Sequence, residues 1–398
     1  MKINSEFIVK IDDVDINGNG VTRINNLVVF VKNALKDEIV KIKIISLNKR
    51  FASAEIVEII EKSSIREVVK CPFYNLCGGC NFLHINANEE LIIKENYIKK
   101  LFKDYNVKTI ASINNYNYRN KVTLHVVNSK IGFFNENTNN LVEIDNCLLL
   151  DNNINNLIKK LKKLDLKNIY EIVIRKSIFN KELLLWFKGK ASKEELKEFA
   201  ISNNITSLSL NDELIYGKKY IVEKINNIKY TIYKEAFFQV NTSCMIKLYD
   251  KIKEYSETGN ILLDLYCGTG TIGIYLKDNY KKVLGIEENI FAIENANINK
   301  KINNIENIEF KCLDASKIKI NDFDTVVVDP PRSGLTKNVI KNILNGKARK
   351  IIYVSCNPKT LNRDLELLEE KYKVIEISPF NMFFRTKHIE CVCLLKLR

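Results

Sequence analysis

The 398-residue chain has one Trp, three His, three Met, five Pro and fourteen Gly. So little Pro and Gly excludes collagen-like and Pro-rich linker architectures, and a 46% hydrophobic content excludes disorder. No apolar run reaches the ~18 residues of a membrane span. The start, Met1-Lys2-Ile3-Asn4-Ser5-Glu6, lacks the apolar stretch of a signal peptide. A cytoplasmic protein is expected, in which thiols stay reduced. The ten Cys are then core thiols, metal or cluster ligands, or nucleophiles rather than disulfides.

The net charge is +14, but Lys, Asn and Ile are enriched together, which adds surface Lys without a partner. Divided along the chain, residues 1–62 carry a net +1, residues 63–232 a net +8 and residues 233–398 a net +5. The basic excess is concentrated in the middle segment, as an anionic partner such as nucleic acid would require.

Residues 1–62 read as short strands, with runs at Leu27–Val31, Val40–Ile44 and Ala54–Val57 and a turn at Asn17-Gly18-Asn19-Gly20. Several strands in so short a segment predict a small OB-like barrel. Residues 63–232 mix a helical pattern at Glu89–Lys103 with strand runs at Val122–Val127, Ile172–Ile174 and Leu183–Phe187. Within residues 233–398, strands at Ile261–Leu265, Val283–Ile286, Ile308–Phe310, Thr325–Val328 and Ile351–Val354 alternate with helices, the order of a doubly wound parallel sheet. Val374–Ile377 and Cys391–Leu397 predict a hairpin on its edge.

Five motifs carry chemistry. In Leu263-Asp264-Leu265-Tyr266-Cys267-Gly268-Thr269-Gly270-Thr271-Ile272-Gly273 the glycines follow a strand and open a helix, and Glu287 ends the next strand. Such a turn lets backbone approach a ligand, and the carboxylate can bond ribose hydroxyls. A nicotinamide cofactor and S-adenosylmethionine fit it equally. Asp329-Pro330-Pro331-Arg332 follows the strand Thr325–Val328 and leaves a carboxylate and free carbonyls in the cleft. Methyltransferases acting on planar bases use that turn, and nicotinamide oxidoreductases do not need it. Cys356, in Ser355-Cys356-Asn357-Pro358, lies at a strand end before a helix, where a thiol is expected to ionise readily. Glu390 opens the last strand as a candidate general base, or an ordinary strand-end acid. Cys71, Cys77 and Cys80 surround a Gly pair, and Cys147 is the only other Cys of the middle segment. Clustered thiols with one distant partner suit an iron–sulfur site better than zinc knuckles. Cys244, Cys267, Cys312, Cys391 and Cys393 read as packing residues.

With these motifs the chain resembles the RNA uracil-C5 methyltransferase family over nearly its whole length. Tyr118-Arg119-Asn120-Lys121, Gly132-Phe133 and Ala236-Phe237-Phe238-Gln239-Val240-Asn241 strengthen the resemblance. It implies an α/β architecture: a TRAM barrel (1–62), a mixed α+β iron–sulfur and RNA-binding domain (63–232) and a Rossmann-like methyltransferase domain (233–398). It implies S-adenosylmethionine held by Gln239, Tyr266, Glu287 and Asp329, a 4Fe–4S cluster on Cys71, Cys77, Cys80 and Cys147, Cys356 as nucleophile and Glu390 as base. Phe237 or Phe238 is then available to stack on a base, and Arg119 and Lys121 to hold phosphate. A monomer acting on RNA is implied. Barrel and cluster together favour large-subunit (23S) ribosomal RNA over tRNA. The chain departs from the family pattern at Phe384, where Pro is usual, at Asp37, where Gly is common before Glu38, and at Leu148, where Pro usually follows the fourth Cys. A non-catalytic RNA-binding protein is the competing class, against which the retention of both Cys356 and Glu390 argues.

Overall fold

A computed structural model describes residues 1–113, 116–136 and 138–398. The N-terminal segment is one six-stranded sheet. Its alternating strand Ile39–Leu47 buries Val40, Ile42 and Ile44, and Val29, Val31, Ala52 and Ala54 from neighbouring strands complete the core. Period-two alternation places these residues on one face, so the small core forms from one side of each strand.

The middle segment centres on a seven-stranded sheet in the order Leu141–Glu143, Lys130–Phe134, Lys121–Val127, Ile169–Lys176, Leu183–Gly189, Ser207–Leu210, Glu213–Gly217. Val122, Leu124, Ile172, Ile174, Leu185 and Phe187 face helices Asn152–Leu161 and Lys193–Ser202. The basic run that begins in the first of these helices leaves the helix at Lys162, which pairs with Glu143 and Asp145.

The C-terminal segment forms an eight-stranded sheet. Its order is Ile308–Cys312, Tyr280–Glu287, Gly259–Leu265, Thr325–Val328, Lys350–Ser355, Glu390–Leu397, Tyr372–Asn381 and Ala111–Ser112. The first five strands are parallel, and the last two long ones form the expected hairpin. The hairpin is not the outermost element. Ala111–Ser112, from the middle segment, adds a short parallel strand beside Phe380 and Asn381.

Two further pieces of the middle segment pack on this sheet. Ile98 and Phe102, at the end of helix Ala87–Leu101, are buried in one core cluster with Ile377, Cys391 and Cys393. Side chains of this size each contribute ~1.5–3 kcal/mol when fully buried, enough to fix the helix in place. The hairpin of Tyr220–Ile225 and Ile228–Tyr233 shares a second core with helix Thr242–Ser256. Among the described residues, no helix is long and apolar enough to cross a membrane.

Candidate active site

The sheet order reverses between Gly259–Leu265 and Thr325–Val328, which opens a crevice at their carboxyl ends. At the end of Gly259–Leu265 the chain turns through Tyr266 (φ 62°), Gly268 (φ 52°) and Gly270 (φ 79°). A Cβ on Gly270 would lie 2.5 Å from the Phe310 ring, so only glycine fits. Glu287 accepts the Gly268 N–H at 3.2 Å and the Asn289 N–H at 3.0 Å, which fixes its carboxylate beside the turn. Together with Phe237, Gly268 and Asn289, Glu287 lines a cavity of about 590 Å³.

Gln239 and Tyr266 are half-buried and lie two residues from the lining residues Phe237 and Gly268, but neither lines the cavity itself. The run containing Gln239 is held from the middle segment. Asn120 N–H donates to Val240 O at 3.0 Å, its amide to Thr242 Oγ1 at 3.0 Å, and Arg175 Nη2 to Phe238 O at 3.3 Å. Phe237 is 69% exposed, whereas Phe238 is buried against Tyr230. Of the two, only Phe237 is free to stack.

Asp329 stands apart from that cavity and close to Cys356 and Glu390. Register explains this convergence. Ser355 pairs with Cys391 in the antiparallel ladder, so Cys356 and Glu390, the next residues outward, end adjacent strands side by side. Asp329 follows Val328, which pairs with Tyr353 on the other side. Burial pushes the Glu390 carboxyl up to about 8, with Asp329 adding to the rise and Arg332 opposing it. Burial likewise takes Asp329 up to about 7. The Cys356 thiol is pushed up to about 11, by burial first and then by Glu390 and Asp329. This corrects the expectation that its place before a helix would lower it. Pro358 offers no N–H, and Asn357 already caps Lys359 N, so little helix-end charge reaches the thiol.

Two turns are tied together here. Asn357 Nδ2 and Thr360 Oγ1 both donate to Arg332 O, at 3.0 and 3.3 Å. Asp264, at the head of the glycine motif, was given no role by the sequence reading, although a lone acid inside an apolar strand is a visible signal. It is fully buried, accepts Gly273 N–H at 2.9 Å, and leaves Oδ1 without a partner. Burial takes its carboxyl up to about 8.

Cys71, Cys77, Cys80 and Cys147 line one cavity of about 570 Å³ with Arg119 and Lys121. Burial raises the thiols of Cys77, Cys80 and Cys147, and Arg119 opposes the rise at Cys80 and Cys147. Arg119 Nε is buried there without a hydrogen-bond partner. Arg119 thus lies close to the thiols of Cys80 and Cys147. Among the described residues, no three His, Cys, Asp or Glu side chains are grouped to hold a single metal ion. Cys244, Cys267, Cys391 and Cys393 are buried as expected, but Cys312 is exposed and is not a packing residue.

A doubly wound domain with a glycine turn, an Asp-Pro-Pro turn and a strand-end thiol, preceded by a small β-domain, defines an RNA-modifying methyltransferase. The comparisons narrow this class. The family model of tRNA (uracil-5-)-methyltransferases matches residues 86–319 and 308–398, and that of the TRAM domain matches residues 2–57. The chain belongs to the uracil-5 RNA methyltransferase family. An uncharacterized RNA methyltransferase of Clostridium acetobutylicum is 35% identical, covering 100% of this chain and 98% of its own. A further one from Clostridium tetani is 32% identical over 99% and 97%. The crystal structure of Pyrococcus abyssi tRNA (uracil-54, C5)-methyltransferase in complex with S-adenosyl-L-homocysteine superposes with a TM-score of 0.83 at 27% identity. It covers 98% of this chain and 100% of its own. Membership of this family removes the nicotinamide oxidoreductase reading.

Proposed function

We propose that the protein methylates C5 of uracil in RNA through a transient covalent bond between Cys356 and C6. The observation that carries this reading is the meeting of Cys356, Glu390 and Asp329 at adjacent strand ends. S-adenosylmethionine supplies an electrophilic methyl group. The crevice fits its adenosyl part: a Cβ at Gly268 would project into open space, Glu287 is fixed for ribose hydroxyls, and Phe237 offers an exposed ring. Gln239 and Tyr266, near its lining in sequence, are the proposed further contacts to the methyl donor, and Asp329 is close to the thiol.

Uracil C5 is a weak nucleophile. Addition of the Cys356 thiolate to C6 makes C5 enolate-like and reactive. The protonated resting thiol passes its proton to Asp329, the second carboxylate beside it, which leaves Glu390 in its ionised form for the later transfer and lets Asp329 return the proton when Cys356 is released. Once C5 is substituted, Glu390 takes the C5 proton, and elimination returns Cys356. Its raised affinity for protons suits that role near neutral pH. The target base must leave its stack to reach a thiol at the foot of this crevice.

The cysteine cavity suits a 4Fe–4S cluster. Four thiols line one space, the donor set such a cluster takes, and Arg119 beside them offers charge compensation. Such a cluster would be held by Cys71, Cys77, Cys80 and Cys147 and would be structural, with no step of methyl transfer passing through it.

Large-subunit ribosomal RNA is the proposed substrate, on the basic middle segment and the combination of barrel and thiols. A tRNA substrate is the second reading. It is favoured by the Pyrococcus tRNA enzyme, whose likeness extends over 98% of this chain, the barrel segment included. The monomer and the cytoplasmic location belong to the same proposal. Incubating unmodified 23S rRNA and unmodified tRNA with protein and labelled S-adenosylmethionine separates the two substrates. Cys356→Ala should abolish transfer and the adduct, and Glu390→Gln should trap an adduct stable in denaturing gels. Normal turnover by Cys356→Ala would refute the covalent mechanism.

A further inference from the structure

The mouth of the nucleophile site carries charge that the reaction itself does not use. A cavity of about 270 Å³ beside Cys356 is lined by Arg332, Lys359, Lys387 and His388, with Asn17 of the N-terminal sheet and Tyr97 of helix Ala87–Leu101 on its other walls. The three cations come from three different segments: the Asp-Pro-Pro turn, the start of helix Pro358–Leu368 and the loop leading to Glu390. Among the described residues, none of the three forms an ion pair. Elsewhere on this surface Lys commonly finds an acid: Lys41 pairs with Glu6, Lys193 with Glu213 and Lys251 with Glu254. Among the described residues, the one side-chain hydrogen bond these cations make is Arg332 Nη2 to His388 Nδ1 at 3.4 Å, which supplies no negative charge. Burial and then the charges of Arg332 and Lys387 hold His388 well below its ordinary range, at about 4, so it stays neutral and can accept or donate.

The opposite wall is anchored. Asn81 Nδ2 donates to Asn17 O at 3.2 Å, and Asn81 Oδ1 accepts Lys387 N–H at 3.0 Å. The turn of the N-terminal sheet and the loop bearing Lys387 thus face each other across a fixed gap. Three cations without an ion-pair partner, two of them remote from the reacting carboxyls, suit a multiply anionic occupant that can thread between the walls.

We infer that this cavity is a phosphodiester subsite, holding the RNA backbone next to the target uridine so that the flipped base is delivered to Cys356. The inference rests on the function proposed above. Lys359 and Lys387 are exposed and lie outside the reacting groups, so they position substrate without taking part in chemistry. Each contributes one phosphate contact, and Arg332 adds a third from the reacting side.

The test uses full-length protein, a single-stranded oligouridylate and a KCl series. Lys359→Ala and Lys387→Ala should each weaken binding and lower the slope of log affinity against log salt by about 0.7, the value for one cation on a single strand. The double variant should lower it by about twice that. The RNA KM should rise with kcat nearly unchanged, and the affinity for S-adenosylhomocysteine by calorimetry should stay the same. An unchanged salt slope in the double variant, at an unchanged melting temperature, overturns the subsite. So does a loss confined to S-adenosylhomocysteine binding. The binding arm needs no methyl transfer. A wild-type protein that binds with the expected slope yet methylates no uridine refutes the proposed function and leaves the subsite supported.

Discussion

Arg385 donates its backbone N–H to Glu90 Oε1 at 2.9 Å, a contact that joins the loop before Glu390 to a helix almost three hundred residues earlier in the chain. The same Oε1 accepts Lys94 Nζ at 2.8 Å and Asn381 Nδ2 at 3.3 Å. Arg385 itself is buried, with φ at 67°, a conformation that costs a non-glycine residue roughly 1–3 kcal/mol. Its guanidinium donates to Phe82 O and Ile85 O, pairs with Glu67 at 3.3 Å and covers the Phe384 ring at 4.5 Å. Phe384, where the family usually has Pro, is in turn packed edge-on against Tyr116 at 5.6 Å. The loop path is thus set by a buried charge network in place of a rigid ring. Arg385→Gly keeps the backbone conformation and removes the guanidinium. It should lower kcat more than the KM for RNA and lower the melting temperature by several degrees. Arg385→Lys should recover part of the stability. If Arg385→Gly is as active and as stable as wild type, the loop is positioned by other means.

Much of this could be read from the sequence. The glycine turn, the Asp-Pro-Pro turn and the strand-end thiol are local patterns, each written in consecutive residues. The C-terminal strands followed apolar runs closely, because buried parallel strands need them. The Arg385–Glu90 contact could not be read, since nothing in either local sequence names its partner. Nor could the packing of Ile98 and Phe102 on the C-terminal sheet, because helical periodicity gives a buried face but not what buries it. The direction of the Cys356 shift was misread because helix position was weighed without the burial of the thiol, the larger cause, and without the two carboxyls that the register brings alongside. Cys312 was misread because a strand-end residue on the outermost strand has no neighbour to cover it.

The Glu390 carboxyl gives the fold a pH dependence with a definite sign. Its folded-state value of about 8 lies above the ordinary 4.5, so the fold retains a proton that the unfolded chain releases. The unfolded state then binds fewer protons, and stability falls as pH rises from about 4.5 through about 8. Glu390→Gln cannot ionise and should lose this contribution. Thermal melts of wild type and Glu390→Gln should agree most closely near pH 5 and separate toward pH 8. The variant should become the more stable by roughly 3 °C or more, the shift that about 1 kcal/mol makes in a domain of this size. Parallel curves across that range would mean that Glu390 ionises normally in the fold.

Gly18 tests whether the N-terminal sheet must dock to complete the site. Its φ is 80°, and a Cβ there would lie 2.1 Å from Asn81 O. Gly18→Ala therefore forces the turn away from Asn81, the residue that also bonds Arg385 O and Lys387 N. The expected result is a several-fold rise in the RNA KM and faster proteolysis between the N-terminal sheet and the cysteine loop. S-adenosylhomocysteine binding should be unchanged. Gly18→Asn separates the two causes. Asn accepts positive φ readily but still carries the Cβ, so it should be as harmful as Ala if close approach is what matters. A harmless Asn variant would assign the effect to backbone conformation alone.

Arg119 offers a test of the cysteine cavity that does not depend on turnover. Four thiolates around a cluster place net negative charge in a half-buried space, and Arg119 is a cation of its lining that acts on the Cys80 and Cys147 thiols, with its buried Nε unpartnered among the described residues. Arg119→Gln keeps the polar shape but removes the charge. Anaerobically purified Arg119→Gln should therefore hold less iron and sulfide per chain than wild type and lose its visible absorbance faster in air. Cys147→Ser should lose iron almost completely, since the thiol is one of the four lining the cavity and Ser is a poor ligand for iron–sulfur clusters. Wild-type protein purified with zinc and no iron would overturn the cluster and assign the cavity to a different ion. Iron content equal in wild type and Arg119→Gln would leave the cluster standing and refute the charge-compensating role of Arg119.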